Sequence, residues 1–222
     1  MEKLHHLNII IHIIAGIIAL IAGLLAVIVN KKNKRHVQFG KYFWWMIIFV
    51  IATGLISIFV FKRNNFLLVI TLLSGYNCYS GIRVMRLAGK KPGSVDYIIP
   101  VIVMASAIYY LYYINTVGLY WSPVIIYSTI GALFLVTTYD LFKLIIPAEV
   151  LKKTVLYEHA YKMISALSAI ASAFIGTIFP QYKPYSQFLP SVIGFSCIIL
   201  TFIILSNKRS SLKKDYTLKQ AN

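Results

Sequence analysis

Long apolar runs separated by short polar connections leave this chain few ways to fold. They cover residues 7–29, 41–61, 65–85, 96–115, 121–143, 154–179 and 187–206. Each is close to the roughly 20 residues that an α-helix needs to cross a hydrocarbon core of about 30 Å. Buried parallel strands come in shorter runs, so the pattern predicts helices. Composition agrees: 59% of the 222 residues are hydrophobic and 13% are charged, whereas a soluble domain is nearer a quarter charged. The expected fold is all-α, a polytopic bundle of seven transmembrane spans over residues 1–206 with a basic tail over residues 207–222. Such short connections make neighbouring spans antiparallel and leave no room for a second domain. The first run, Leu7 to Val29, is too long for the apolar part of a signal peptide. Basic residues follow it instead of a small-residue cleavage site, so it reads as a span that is retained.

A formal net charge of +16 raises nucleic acid as a partner. The Lys and Arg, however, cluster between the apolar runs, as the positive-inside rule requires of a membrane protein. One set of alternate connections receives Lys31, Lys32, Lys34, Arg35, Lys41, Arg83, Arg86, Lys90, Lys91, Lys143, Lys152 and Lys153, with Lys208, Arg209, Lys213, Lys214 and Lys219 in the tail. The other set receives Lys3, Lys62, Arg63 and Lys183. This asymmetry of about four to one puts the N-terminus outside and the C-terminus in the cytoplasm, which an odd number of spans satisfies. Nucleic acid is set aside. The expected partners are the bilayer and, at the basic loops and tail, anionic lipid.

Trp44 and Trp45 fall at the inner end of the second span, and Tyr109, Tyr110, Tyr112, Tyr113, Tyr120 and Trp121 crowd the outer ends of the fourth and fifth, all as headgroup-level anchors. Pro123 and Pro190 suit helix starts. Ser94 is a candidate N-cap after the Pro92-Gly93 break, and Pro147 and Pro180 are stops. Pro100 lies one turn inside the fourth span and predicts a mild kink. Cys78 and Cys197 read as small packing residues. Gly16, Ala19, Gly23 and Ala26 in the first span, and Ala166, Ala169, Ala173 and Gly176 in the sixth, form small-residue stripes that let helices approach closely in lipid.

Ionisable and amide groups inside spans are costly, which makes them default site candidates. On the predicted topology His36, Asn77, Ser80, Arg83, Asp140, Glu158 and His159 fall on the cytoplasmic side, as a candidate binding pocket. Asp140 sits at the unfavourable end of a helix dipole and needs a cation, for which Arg83 is the natural partner. His36 and His159, with Asp140 or Glu158 as a third ligand, make a candidate divalent-metal site; the two imidazoles also suit a b-type haem between helices. The bland alternative is that these histidines hydrogen-bond to carbonyls and that Arg83–Asp140 is only a clamp. His12 lies in the outer half of the first span, too far along the axis to share a site with His159, and is a separate outer-leaflet candidate. There is no phosphate-binding glycine loop and no nucleophile elbow.

The order of these residues resembles a family of bacterial predicted membrane proteins catalogued as domain of unknown function 2306. The matching motifs are His12-Ile-Ile-Ala15-Gly16, Arg35-His36 with Gly40, Asn65-Phe66-Leu67-Leu68, Ser80-Gly81-Ile82-Arg83, Asp140-Leu141, His159, Met163, Ala173-Phe174 and Leu189-Pro190. They span nearly the whole chain. One departure is Tyr161, where the family pattern has a basic residue two places before Met163; Lys162 stands beside it. The resemblance implies a multi-span bacterial membrane protein and brings no activity with it; the expected location is the bacterial inner membrane. Three functions are therefore expected to compete. They are a binding or redox module with its pocket in the cytoplasmic leaflet, a small proton-linked transporter using Asp140 and His159, and a non-catalytic assembly partner held by a structural clamp.

Overall fold

The computed structural model describes residues 2–29, 33–61, 66–117, 122–143 and 145–221, and excludes the side chains of residues 66, 67, 115, 117, 209 and 211–221. Lys31, Lys32, Lys62, Arg63, Asn65, Tyr120 and Trp121 lie outside the described residues, as do the side chains of Arg209, Lys213, Lys214 and Lys219. Seven α-helices account for almost all of the described chain. They are α1 (Glu2–Ile28), α2 (Lys34–Phe59), α3 (Phe66–Leu87), α4 (Val95–Val117), α5 (Pro123–Phe142), α6 (Ala148–Ile178) and α7 (Tyr185–Ala221), with one 3-10 turn, Pro180–Tyr182, before α7. No strand occurs among the described residues.

Each apolar run has become one helix. Six of the seven, all but α3, are long and apolar enough to cross a membrane, and the protein has the build of a membrane-embedded helical bundle. At 22 residues α3 is long enough, but Thr71, Ser74, Asn77, Ser80 and Arg83 lower its hydropathy. It sits inside the bundle, packed on α2, α4, α5 and α6. That position suits it, because polar side chains in a membrane belong against other helices. Large apolar side chains instead face outward on the peripheral helices, among them Ile10 and Ile14 of α1 and Ile203 and Ile204 of α7.

Punctuation follows the sequence in part. Pro123 is the first residue of α5, and Pro180 opens the 3-10 turn just after α6 ends at Ile178. Ser94 accepts the first helical hydrogen bonds of α4 through its carbonyl. Pro147 is a start instead of a stop: it is the N-cap residue of α6, and α5 has already ended at Phe142. Pro190 lies within α7, beyond its first turn. The tail expected from residue 207 continues α7 as helix to Ala221.

Two cores share α3 and α6. One joins α3, α4 and α5 through Val69, Leu73, Val103, Ile126, Ile130 and Leu133. The other joins α1, α2, α3 and α6 through Ala19, Ala22, Phe43, Ile47, Cys78 and Ala166. Of the small-residue stripes, Ala19, Gly23, Ala166 and Ala169 lie in these cores, Gly176 faces α7, and Gly16 has open space beside it. A Cβ on Gly23 would come within 2.7 Å of Leu167 and 3.0 Å of Phe43, and one on Gly176 within 2.3 Å of Gln187. Cys78 is fully buried, whereas Cys197 is half-buried. Tyr109 and Tyr112 are exposed as anchors would be, but Tyr110 is not an anchor: it is buried in the α3–α4–α5 core.

The helices are arranged so that α3 holds α5 on one side and α6 on the other, while α7 packs along α6. α5 packs on α3 and α4 and has little backbone contact with α6 or α7. A seam is left over α3, between α5 and the α6–α7 pair. Both candidate sites lie in it.

Candidate functional site

One end of the seam is closed by charge. Near the end of α5, Asp140 and Lys143 are one turn apart; on α6, Glu158 and Lys162 are spaced i,i+4. Either spacing puts two side chains on one helix face. Each helix thus carries one carboxylate and one ammonium, and the two pairs meet crosswise. Lys162 Nζ donates to Asp140 Oδ1 at 2.6 Å and Oδ2 at 2.8 Å, and to Glu158 Oε1 at 2.7 Å. Lys143 Nζ lies 2.8 Å from Asp140 Oδ1 and also pairs with Glu158. Tyr76 of α3 donates its hydroxyl to Asp140 Oδ2 at 2.5 Å. Tyr139 presents its ring to both ammonium groups, 5.3 Å from Lys143 Nζ and 6.0 Å from Lys162 Nζ, within range of cation–π attraction.

All four charged residues are buried, Lys162 completely. Two positive and two negative groups cancel, and each carboxylate meets both lysines. This is a condition under which buried charge is tolerated: every charge is compensated. Asp140 is therefore paired as its helix-end position requires, but not with Arg83.

Arg83 instead grips Asp96 at the start of α4, Nε to Oδ1 at 2.7 Å and Nη2 to Oδ2 at 3.0 Å. Asp96 also accepts from the Gly93 backbone N–H at 2.8 Å. The short turn through Pro92 and Gly93 brings the end of α3 beside the start of α4, and a carboxylate in a first helical turn is favoured by the dipole. A cleft of about 20 Å³, bordered by Ser80, Arg83, Asp96, Asp140 and Lys143, separates this pair from the quartet. That is room for about one water.

The histidines do not join the quartet. His159 and Glu158 are neighbours in sequence but point away from each other. His159 Nδ1 is 2.8 Å from the Gly81 carbonyl, and His36 Nδ1 is 2.8 Å from the Ala26 carbonyl. Their rings lie edge to face with centroids 6.5 Å apart. The expected metal set of His36, Asp140 and His159 is not assembled, because the Asp140 carboxylate is enclosed by Lys143, Lys162 and Tyr76. Among the described residues no three His, Cys, Asp or Glu side chains come together for a metal ion. His12 is a helix–helix contact: its Nδ1 lies 2.8 Å from Thr53 Oγ1 of α2, while Asn8 donates to the Thr53 carbonyl and to Ser57 Oγ.

The other end of the seam stays open. A groove of about 280 Å³ runs along it, lined by residues of α3, α5, α6 and α7. Its polar wall is made of hydroxyls, chiefly Ser128, Thr129, Ser165, Ser168, Ser172 and Ser191, with the amides of Asn77 and Gln187. Ile70, Leu73, Ile125 and Phe195 are among its apolar lining. Asn77 and Gln187 are almost completely buried, at 2% and 4% exposure, and Asn77 Oδ1 and Gln187 Nε2 have no hydrogen-bond partner among the described residues. Asn77 and Ser80, placed together by spacing, line different spaces: Asn77 the groove, Ser80 the cleft.

Of the anticipated site residues, Asp140 and Glu158 meet, His36 and His159 meet elsewhere, and Arg83 pairs with neither group. Lys143 and Lys162 complete the quartet. Lys162 had a sequence signal, an intramembrane lysine one turn after Glu158. Of the groove, only Asn77 had been singled out as a site residue, because its other lining residues are spread over four helices without a shared pattern.

No protein-family model, curated protein or solved structure matches this chain, so function has to be read from the site itself.

Proposed function

We propose that this is a seven-span integral protein of a bacterial inner membrane, with its N-terminus outside and its C-terminus cytoplasmic, that serves as a binding module held rigid by a charge clamp. The observation that carries this reading is the mutual pairing of Asp140, Lys143, Glu158 and Lys162. All four charges are engaged with one another, while hydrogen-bonding groups are left over in the groove beside them. The quartet is the lock and the groove is the place for a ligand. The interior position of α3 supports its reading as the seventh span, shielded from lipid by its neighbours. The basic connections support the orientation and contact with anionic lipid. Membership of the domain of unknown function 2306 family is part of the same proposal.

A double-mutant cycle tests the clamp. Asp140→Leu or Lys162→Met alone should lower thermal stability in detergent. The pair together should recover a substantial part of the loss, since Lys143 and Glu158 still face each other. Strictly additive losses would defeat the clamp. Orientation is tested in a background with Cys78 and Cys197 replaced by Ala. An impermeant maleimide added to right-side-out vesicles should label Gln181→Cys and spare Lys91→Cys.

A second reading, proton-linked transport through Asp140, is favoured by the small cleft that reaches the quartet from the Arg83–Asp96 pair. It predicts proton uptake by liposomes containing the protein, and loss of that uptake in Asp140→Asn. Equal uptake by both proteins, or none by either, would remove it.

A further inference from the structure

The open part of the seam carries the inference. We propose that it is a lateral binding site for an uncharged, hydroxyl-bearing lipid, held with its O–H groups against the wall of α3, α5 and α6. This deepens the binding-module reading and rests on it.

Three observations select the ligand class. First, the groove lies between helices that do not close on each other. α5 is held by α3 and α4, α7 by α6, and the gap between α5 and the α6–α7 pair has no helix over it among the described elements. In a bilayer such a gap is reached sideways, from the acyl chains, so the ligand must be soluble in lipid. Second, no Asp, Glu, Lys, Arg or His lines the groove. A charged headgroup would enter a low-dielectric space with no counter-charge, which is strongly disfavoured.

Third, the hydrogen-bonding capacity of the wall is lopsided. Ser128 and Thr129 donate their hydroxyl protons to the Ile125 carbonyl at 3.1 and 2.7 Å, and Ser168 donates to the Ile164 carbonyl at 2.8 Å. A hydroxyl has one proton and two lone pairs, so these oxygens can still accept but cannot donate elsewhere. Asn77 Oδ1 is a further buried acceptor without a partner. Gln187 Nε2 is a buried unpartnered donor on α7, and the contact between Ser172 and Ser191 uses only one of their two hydroxyl protons. A wall rich in acceptors favours a ligand that brings donors. An ester or ether head has only acceptors, and leaves Asn77 Oδ1 unsatisfied at the desolvation penalty of a buried polar group. A lipid alcohol supplies the missing O–H, and its oxygen can accept from Gln187. A volume of about 280 Å³ holds roughly ten water-sized groups at ~30 Å³ each. That is enough for a hydroxylated head and the first part of a tail.

The test is photo-labelling of the full chain in phosphatidylcholine nanodiscs. The probes are hexadecanol carrying a diazirine near its head, the methyl ether of the same molecule, and the corresponding hexadecanoate. The alcohol should cross-link to residues 125–132 and 165–172 at least five-fold more than the ether or the carboxylate. Leu135, exposed on the outer face of α5, gives the background of ordinary lipid contact. Asn77→Leu should cut the specific labelling at least five-fold. Ala132→Phe, which fills the groove from its α5 wall, should do the same and keeps the test decisive if Asn77→Leu does not fold. Competition by dioleoylglycerol identifies a glycerol-type source of the hydroxyl, and competition by a long-chain alkylphenol a ring-headed one; either supports the site. Equal labelling by alcohol and ether, labelling no higher than at Leu135, or indifference to both substitutions would overturn it. Specific labelling alongside strictly additive losses in the Asp140–Lys162 cycle would retain the site and discard the clamp. A coupled cycle without specific labelling would do the reverse.

Discussion

The two ends of the seam over α3 answer the same problem in opposite ways. Both lie between α5 and α6, and both are polar regions in a bundle of apolar helices. At the quartet, long side chains bridge a gap that the backbones leave open, and every charge finds an opposite one. At the groove the polar side chains are mostly short Ser and Thr, and the gap stays unfilled. One consecutive pair of residues on each of two helices separates the regimes. Tyr76 reaches Asp140 while Asn77 faces the groove; Lys162 enters the quartet while Tyr161 lines the groove. The contrast teaches that polarity alone does not mark a binding site. What marks it is polarity left unsatisfied beside space.

The sharpest way to break the contrast is to unbalance the closed end. Glu158→Gln leaves two ammonium groups facing one carboxylate and should cost roughly 3–5 kcal/mol, the penalty for breaking a buried ion pair, read as a large drop in melting temperature in detergent. Next comes overpacking at the open end. A Cβ on Gly194 would fall 1.8 Å from Ser168 Oγ, so Gly194→Val should push α7 from α6. We expect a loss of about 1–3 kcal/mol and, unlike Glu158→Gln, a change in labelling of the groove. Arg83→Ala should do much less. Its pair with Asp96 is a third exposed on the arginine side, and such pairs contribute about 1 kcal/mol or less, weakening with salt. A melting-temperature loss as large as that of Glu158→Gln would mean that Arg83 belongs to the quartet after all. Smallest is Ser172→Ala, which removes the 3.0 Å contact with Ser191 between α6 and α7. An interhelical hydrogen bond in a membrane protein averages about 0.6 kcal/mol, near the limit of a thermal melt.

The helices were legible in the sequence because their signal is local. A long, mostly apolar run has one outcome in lipid, and the seven runs became α1 to α7, though α2 and α6 start six or seven residues early and α7 runs on through the tail. Site residues were legible as types and as a level in the bundle, since a carboxylate or histidine inside a span is conspicuous wherever it points. Their pairings were not legible. Asp140 needed a cation, but which one depends on the rotation of α3 and α6 about their axes. That rotation is set by packing at Gly81, whose Cβ would meet Met163 at 3.0 Å and Lys162 at 3.1 Å. Pro92-Gly93 held a usable clue, since a short connection between the end of α3 and the start of α4 makes Arg83 and Asp96 neighbours. Lys162 was the plainer omission. As part of an i,i+4 pair with Glu158 it was a stronger partner for Asp140 than any residue on α3.

All four members of the quartet lie within 23 residues of chain, on two successive helices, and this bears on how the protein reaches the membrane. A Lys or Asp in an inserting helix opposes its partitioning, less near the helix end, where Asp140 and Lys143 lie, than at the centre. To the quartet, α5 with its C-cap and α6 each bring one charge of either sign, which each would have to carry unpaired if it entered alone. Entering together, with the crosswise pairs already formed, they present a neutral unit. The same residues that close one end of the seam in the finished protein would then also favour the joint insertion of α5 and α6.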